Sequence, residues 1–257
     1  MILYHYTTID AFLKIWVTQQ LRFSNRRNTN DTLEKFRSCA FSLNYQQYSR
    51  KELDLLVSKV EKEIYSYQQI SFTCNYSNNI DGCLSPMMWG QYAHNEEGVC
   101  IEINTNKLKE LPDGLICNKV KYDGVPSFVF NLPATASDAM ISAYVKRNIK
   151  KFYFHKHKHW KPENEYRMVL KTNGEETYLN IENAITAVTV YRIGTKNEEI
   201  VSKAVAGTQV AVKALHHETN LHGNQSLSYV YVGQYKKAMD PNNKPSLSIP
   251  QGILRTK

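Results

Sequence analysis

The 257-residue sequence predicts a mixed α+β fold. Three observations carry that prediction. Short runs rich in β-branched and aromatic residues alternate with turn residues along most of the chain. Two longer segments, 50–69 and 137–154, repeat apolar residues at helical spacing and turn charged residues outward. Strand-like runs mostly outnumber the helical segments between them, which favours a mixed sheet over a regular βαβ alternation.

The first run, Ile2-Leu3-Tyr4-His5-Tyr6, is a strand in which His5 shares a face with Leu3 and Tyr4 shares one with Tyr6. Thr7-Thr8 then caps a short helix over 9–16, whose Ile9, Phe12, Leu13 and Trp16 recur at i, i+3, i+4 and i+7. Leu21-Arg22-Phe23-Ser24 is a second strand, followed by a polar loop whose Asn28, Asn30 and Asp31 favour turns. Leu33, Phe36 and Arg37 fit an amphipathic turn.

In the helix over 50–69 the stripe is Leu53, Leu56, Val57, Val60, Ile64 and Tyr67. Residues 70–74 form a strand, 75–86 a surface loop, and 87–93 one or two helical turns. Strands follow at 98–103 and 119–122. In the helix over 137–154, Met140, Ile141, Tyr144, Ile149 and Phe152 line one side. Later strands are expected at 166–171, 186–193, 209–213 and 229–232, with a helix near 197–205. With no repeat and no linker, residues 1–235 are expected to form one domain, and 236–257 a loose polar tail.

Hydrophobic content of 42% with 22% charged residues is ordinary for a soluble globular protein. There is no apolar run near the roughly 18 residues of a spanning helix, so no membrane segment is expected. The first residues lack the basic and apolar regions of a secretory signal. Five scattered cysteines without a CxxC pair suggest reduced thiols in a cytoplasmic protein. The net charge is +8, and it is concentrated locally. Lys146, Arg147, Lys150, Lys151, Lys156, Lys158 and Lys161 occur with no acid among them, a patch suited to nucleic acid or another polyanion.

No P-loop, GxGxxG, HExxH or GxSxG motif is present, so kinase, Rossmann dehydrogenase, zincin and α/β-hydrolase chemistry lack support. The stretch Trp160-Lys161-Pro162-Glu163-Asn164-Glu165-Tyr166-Arg167 is the best candidate for chemistry. Glu163 and Glu165 lie at period two and share a face if the chain is extended, which suits charge stabilisation or general-base work. Structural pairing with nearby lysines is the plainer reading. Trp89 and Tyr92, three apart on a helix, offer either core packing or a platform for a flat heterocycle. His155, His157 and His159 alternate as metal ligands do in a strand, but no local cysteine or acid completes a set, and no metal is expected. His216, His217 and His222 look like surface residues of a Gly/Asn-rich hairpin.

Taken in order, Leu3-Tyr4-His5-Tyr6-Thr7-Thr8, Leu21-Arg22-Phe23-Ser24, Asn30-Asp31…Glu34, Phe72-Thr73, Met88-Trp89-Gly90-Gln91-Tyr92-Ala93, Gly98-Val99-Cys100-Ile101 and Trp160…Glu163-Asn164-Glu165-Tyr166-Arg167 follow one pattern. The pattern resembles an uncharacterised bacterial domain family over about residues 2–215. One departure is Thr32, where that family usually has proline after Asn-Asp. The family is in turn remotely similar to the ADP-ribosyltransferase superfamily.

That resemblance implies a split β-sheet core with flanking helices and NAD as substrate. It also implies catalytic roles for His5, Tyr92 and Glu165, and NAD contacts from His5, Tyr6, Thr7, Arg22, Ser24, Trp89 and Tyr92. Arg22 or Arg26 would hold the pyrophosphate, and Glu163 would orient the acceptor. Arg167 would tie Glu165 or Asp31 in place. The activity implied is ADP-ribosyl transfer to a nucleic-acid or protein acceptor, or NAD glycohydrolysis, in a toxin or phage-defence setting. Two other classes stay open: a nucleic-acid module or nuclease in which Glu163 and Glu165 bind Mg²⁺, and an inert domain whose motifs are packing signatures.

Overall fold

The computed structural model describes residues 1–35, 41–42, 48–124, 128–129, 132–219 and 225–239. In chain order its elements are β1 (Ile2–Thr7), α1 (Ile9–Thr18), β2 (Gln20–Arg22), β3 (Ser24–Asn25), α2 (Thr32–Lys35), β4 (Phe41–Ser42) and α3 (Arg50–Ile64). Next come β5 (Tyr67–Cys74), α4 (Pro86–Tyr92), β6 (Val99–Asn104), β7 (Ile116–Lys119), β8 (Phe128–Val129) and α5 (Asp138–Tyr153). The chain closes with β9 (Glu165–Lys171), β10 (Tyr178–Asn180), β11 (Ile185–Val190), α6 (Lys196–Ala204), β12 (Ala211–Thr219), β13 (Gln225–Tyr231) and α7 (Val232–Met239). The expected mixed α and β architecture is present. Among the described residues no helix is long and apolar enough to cross a membrane.

The chain divides into two compact units. The first is Met1–Leu21, Phe72–Glu110 and Asn180–Lys257; the second is Arg22–Ser71 and Leu111–Leu179. The chain passes between them inside β2, β5 and β10 as well as after Glu110, so no linker composition marks the boundaries.

In the first unit the strand order is β13-β12-β11-β6-β1, with the end of β5 beside β1. β11 and β12 run parallel with α6 between them in the chain, and the other pairs are antiparallel. His5 lies opposite Ile101 and Tyr6 opposite Cys100. Thr8 caps α1 by accepting from the Ala11 amide at 3.2 Å, as its position before the apolar stripe predicts. Tyr4, Tyr6, Cys83, Met88, Trp89, Cys100, Tyr191 and Leu215 form one core. Two glycines permit close approach. A Cβ on Gly82 would stand 2.4 Å from the Tyr4 ring, and one on Gly98 would stand 2.2 Å from the Thr7 carbonyl oxygen. Loop 75–86 is therefore partly core rather than a pure surface excursion, with Gly82 and Cys83 buried.

In the second unit β5, β9 and β7 are neighbours, and β3 pairs with β5 through Ser24 opposite Gln69. α3 opens with a capping box between Ser49 and Glu52. α3 and α5 pack together through Leu53, Leu56, Val60 and Ile64 on one and Ile141, Tyr144, Val145, Ile149 and Phe152 on the other. Each such buried aliphatic or aromatic side chain contributes about 1.5–3 kcal/mol. α3 ends at Ile64, not at 69, because the β-favouring run from Tyr67 continues as strand β5. Met140 is 43% exposed and lies off the expected stripe.

Other boundaries also differ. The strand expected at 119–122 is β7, three residues earlier. Lys236 lies inside α7, so the tail expected from 236 begins with helix. Phe36, Arg37, His222 and residues 240–257 lie outside the described residues.

Candidate functional site

The second unit contains a cluster of buried charge. Arg167 on β9 is 1% exposed, Glu34 on α2 1%, Glu163 2%, Lys156 4% and Glu165 5%. Arg26 and Asp31 are 2% exposed. Side chains of this kind are rarely buried without partners, so what they bond to decides their meaning.

Arg167 is fully engaged. Its Nε donates to Glu165 Oε1 at 2.6 Å and its Nη2 to Glu165 Oε2 at 2.7 Å. Nη1 donates to Glu34 Oε1 at 2.6 Å and to the Tyr153 carbonyl at 2.7 Å, and Nη2 also reaches Glu34 Oε2 at 2.9 Å. A guanidinium has five N–H groups, and each has an acceptor here. Lys156 then bridges the acids: Nζ lies 2.6 Å from Glu163 Oε2, 3.4 Å from Glu165 Oε2 and 3.9 Å from Glu34 Oε2. It also stands 4.7 Å from the centre of the Trp160 ring.

Burial alone would raise the Glu165 carboxyl, but the Arg167 and Lys156 charges outweigh it and hold the group down at about 2. Burial likewise opposes ionised Glu34, and Arg167, with help from Arg26, holds it below the usual carboxylate range. Lys156 is pushed down by burial and up by Glu165, Glu34 and Glu163, and the acids prevail. Glu165, Glu34 and Lys156 are thus held in their charged forms by one another and by Arg167.

Local backbone explains how the acids meet. Lys158–Glu163 is a 3-10 turn that contains Pro162, and Asn164 is left-handed at φ 44° before β9 begins. Glu163 and Glu165 therefore do not share a face by strand alternation, as an extended chain requires. They converge because the chain turns at Asn164, a residue type that tolerates this conformation. Lys156 comes in from a short backbone pairing with Lys121, donating its amide to the Lys121 carbonyl at 2.8 Å. The Glu165 amide donates to the Tyr122 hydroxyl at 2.8 Å.

Arg26 differs from Arg167. It stacks 5.2 Å from the centre of the Tyr153 ring, yet its Nε and Nη2 have no hydrogen-bond partner among the described residues. Those two nitrogens form the same edge with which Arg167 clamps Glu165. Thr29 Oγ1 and Gln69 Oε1 are likewise buried without a partner among the described residues.

The structure brings together Glu165, Arg167, Glu163 and Lys156, and adds Glu34, which the sequence marked only as part of a pattern. Lys156, expected on the basic surface, is a core ion because its chain segment turns inward beside β9. Arg22 is exposed and lies 3.5 Å from Glu176. Ser24 is half-buried on β3.

The remaining candidates belong to the first unit. His5 is half-buried, its ring inclined at 62° to Phe72 with centroids 5.8 Å apart. Thr7 is half-buried opposite Val99, and Tyr92 is half-buried against the core. Trp89 is fully buried, and its indole N–H donates to the Cys83 carbonyl at 2.7 Å. Tyr6 donates to the Gly82 carbonyl at 2.6 Å and meets Trp89 edge-on at 5.4 Å. Trp89 and Tyr6 therefore pack the core, and neither presents a ring to a ligand.

The three alternating histidines do not form a common ligand set. His155 Nδ1 lies 2.7 Å from Asp123, whereas the His157 and His159 rings meet each other at 4.5 Å. Among the described residues no three His, Cys, Asp or Glu side chains are grouped to hold a metal ion.

Compared with known proteins, residues 88–168 match the model of a family described as a protein of unknown function, DUF2971. That span takes in most of α4, then β6, β7, α5 and the segment carrying Lys156, Glu163, Glu165 and Arg167. No curated protein and no solved structure matches the chain.

Proposed function

We propose that the second unit binds a pyrophosphate-bearing nucleotide of the NAD class, and that the chain is an NAD-consuming enzyme of the ADP-ribosyltransferase kind. One observation carries this reading: the buried Arg26 guanidinium, whose Nε–Nη2 edge lacks an acceptor among the described residues. Leaving a buried donor unsatisfied costs about 1–3 kcal/mol, and more for a charged group. A two-donor edge fits a phosphate oxygen pair as well as it fits a carboxylate. Both nitrogens are shielded from water, so such a ligand must displace the side chains that cover them.

Glu165 suits the chemistry in one respect. Held at about 2, it stays ionised and does not relay protons, so its contribution is electrostatic. When the C1′–N1 bond of NAD breaks, the electron pair leaves with nicotinamide and positive charge grows on the ribose. A nearby fixed carboxylate stabilises that charge. The attacking water or acceptor group then supplies the new electron pair and loses a proton to solvent. No role is assigned to His5 or Tyr92, which belong to the first unit.

A second reading has its own support. Glu165 already accepts from Arg167 twice and from Lys156, with Ser71 as a further partner, so its acceptor positions are filled. On that reading the cluster is a brace that fixes the fold. Incubation with NAD labelled in the nicotinamide separates the two. The enzymatic reading expects release of nicotinamide, abolished in a folded Glu165→Gln protein. No release with any acceptor, together with a large loss of melting temperature in the variant, establishes the brace instead.

A further inference from the structure

Residues 146–161 contain no acid, and the structure sorts their cations. Lys156 is buried in the ion cluster and leaves the surface. Lys146, Arg147, Lys150 and Lys151 are all exposed on α5. Spaced at one and four residues, they form a single stripe opposite the buried Ile141, Val145, Ile149 and Phe152. Lys158 and Lys161 are exposed on the following 3-10 turn. None of these six makes an ion pair among the described residues, although Lys59, Lys171 and Lys203 elsewhere do. Four unneutralised charges on one helix face repel each other at low salt, with two more on the turn that follows, an arrangement that a polyanion relieves.

Flat rings accompany Lys158 and Lys161 on that turn. His159 is exposed, and His157 and Trp160 are half-exposed, with the two imidazoles edge-to-face at 4.5 Å. Unstacked bases stack on such rings, which favours nucleic acid over an acidic protein.

We infer that this surface binds nucleic acid, with Lys146, Arg147, Lys150, Lys151, Lys158 and Lys161 on the phosphates and the ring cluster beside them. The interaction stands or falls independently of NAD chemistry.

The test is fluorescence anisotropy with the full chain and a labelled single-stranded oligonucleotide, a duplex of the same sequence and polyglutamate. About six phosphate contacts give a log–log salt slope of about −4 for the single strand and about −5 for the duplex. The Lys146→Glu/Lys150→Glu double variant is expected to bind at least tenfold more weakly, with a shallower slope. Lys196→Glu, an exposed charge change in the first unit, is expected to leave binding unchanged, as is the melting temperature of every variant. Binding insensitive to salt or to the double variant overturns the inference. So does polyglutamate binding as tightly as either oligonucleotide, which would make the surface a site for acidic proteins.

Discussion

Arg167 and Glu34, 133 positions apart, meet in a side-by-side pair, Nη1 to Oε1 at 2.6 Å and Nη2 to Oε2 at 2.9 Å. Through it a four-residue helix is fixed against β9 in a setting where neither group touches water. Arg167 simultaneously holds Glu165, so removing it strands two buried carboxylates. Breaking a buried pair in this way costs about 3–5 kcal/mol. Arg167→Ala is accordingly expected to lose stability of that order in urea denaturation. Arg167→Lys recovers little, since a single ammonium cannot serve both forks. A loss near zero in either variant contradicts the pairing.

Acid should weaken the fold in a defined window. Glu165 and Glu34 have folded pKa values below their unfolded ones, so their stabilisation is complete above the ordinary carboxyl range. It is lost as pH falls from about 4.3 toward about 2. For Glu165 the amount is on the order of 3 kcal/mol. Denaturation measured from pH 7 to pH 2 is expected to show a steep acid limb that flattens in Glu165→Gln. An unchanged limb would mean that Glu165 titrates normally in the fold.

Trp89 is expected to matter for stability alone. Trp89→Phe keeps an aromatic ring in the core but removes the donor to the Cys83 carbonyl and leaves a void. The cost is about 1–3 kcal/mol. Affinity for NAD or ADP-ribose should not change, and a drop in affinity at constant fold would return Trp89 to the ligand site.

Much of the architecture was legible because it is periodic. The stripes of α3 and α5 and the alternation in β1 and β6 are local patterns imposed by burying one face, and the residues named from them mostly fill the cores. The site was legible only in part. Of the two acids the sequence offers Arg167, Glu165 or Asp31, it ties Glu165, and it holds Glu34 as well. A pair separated by 133 residues leaves no spacing to read. Lys156 looked like one cation of a surface run, because only the inward turn of the chain beside Lys121 and His155 reveals its burial. Glu163 and Glu165 were judged to be neighbours through strand geometry. They are neighbours through left-handed Asn164, and a single asparagine does not announce that choice in sequence.

The open edge of Arg26 is where the nucleotide reading is most exposed to test. Because that edge contributes no hydrogen bond to the fold among the described residues, Arg26→Met should stay folded, losing only the Tyr153 stacking and the support of Glu34, while ligand affinity falls. Calorimetric titration of ADP-ribose into the wild-type chain and into Arg26→Met measures this directly. The expected result is saturable binding to the wild type, weakened at least tenfold in the variant, at a temperature where both proteins are folded. No binding to the wild type, or equal binding to both proteins, would contradict the assignment of a pyrophosphate to Arg26.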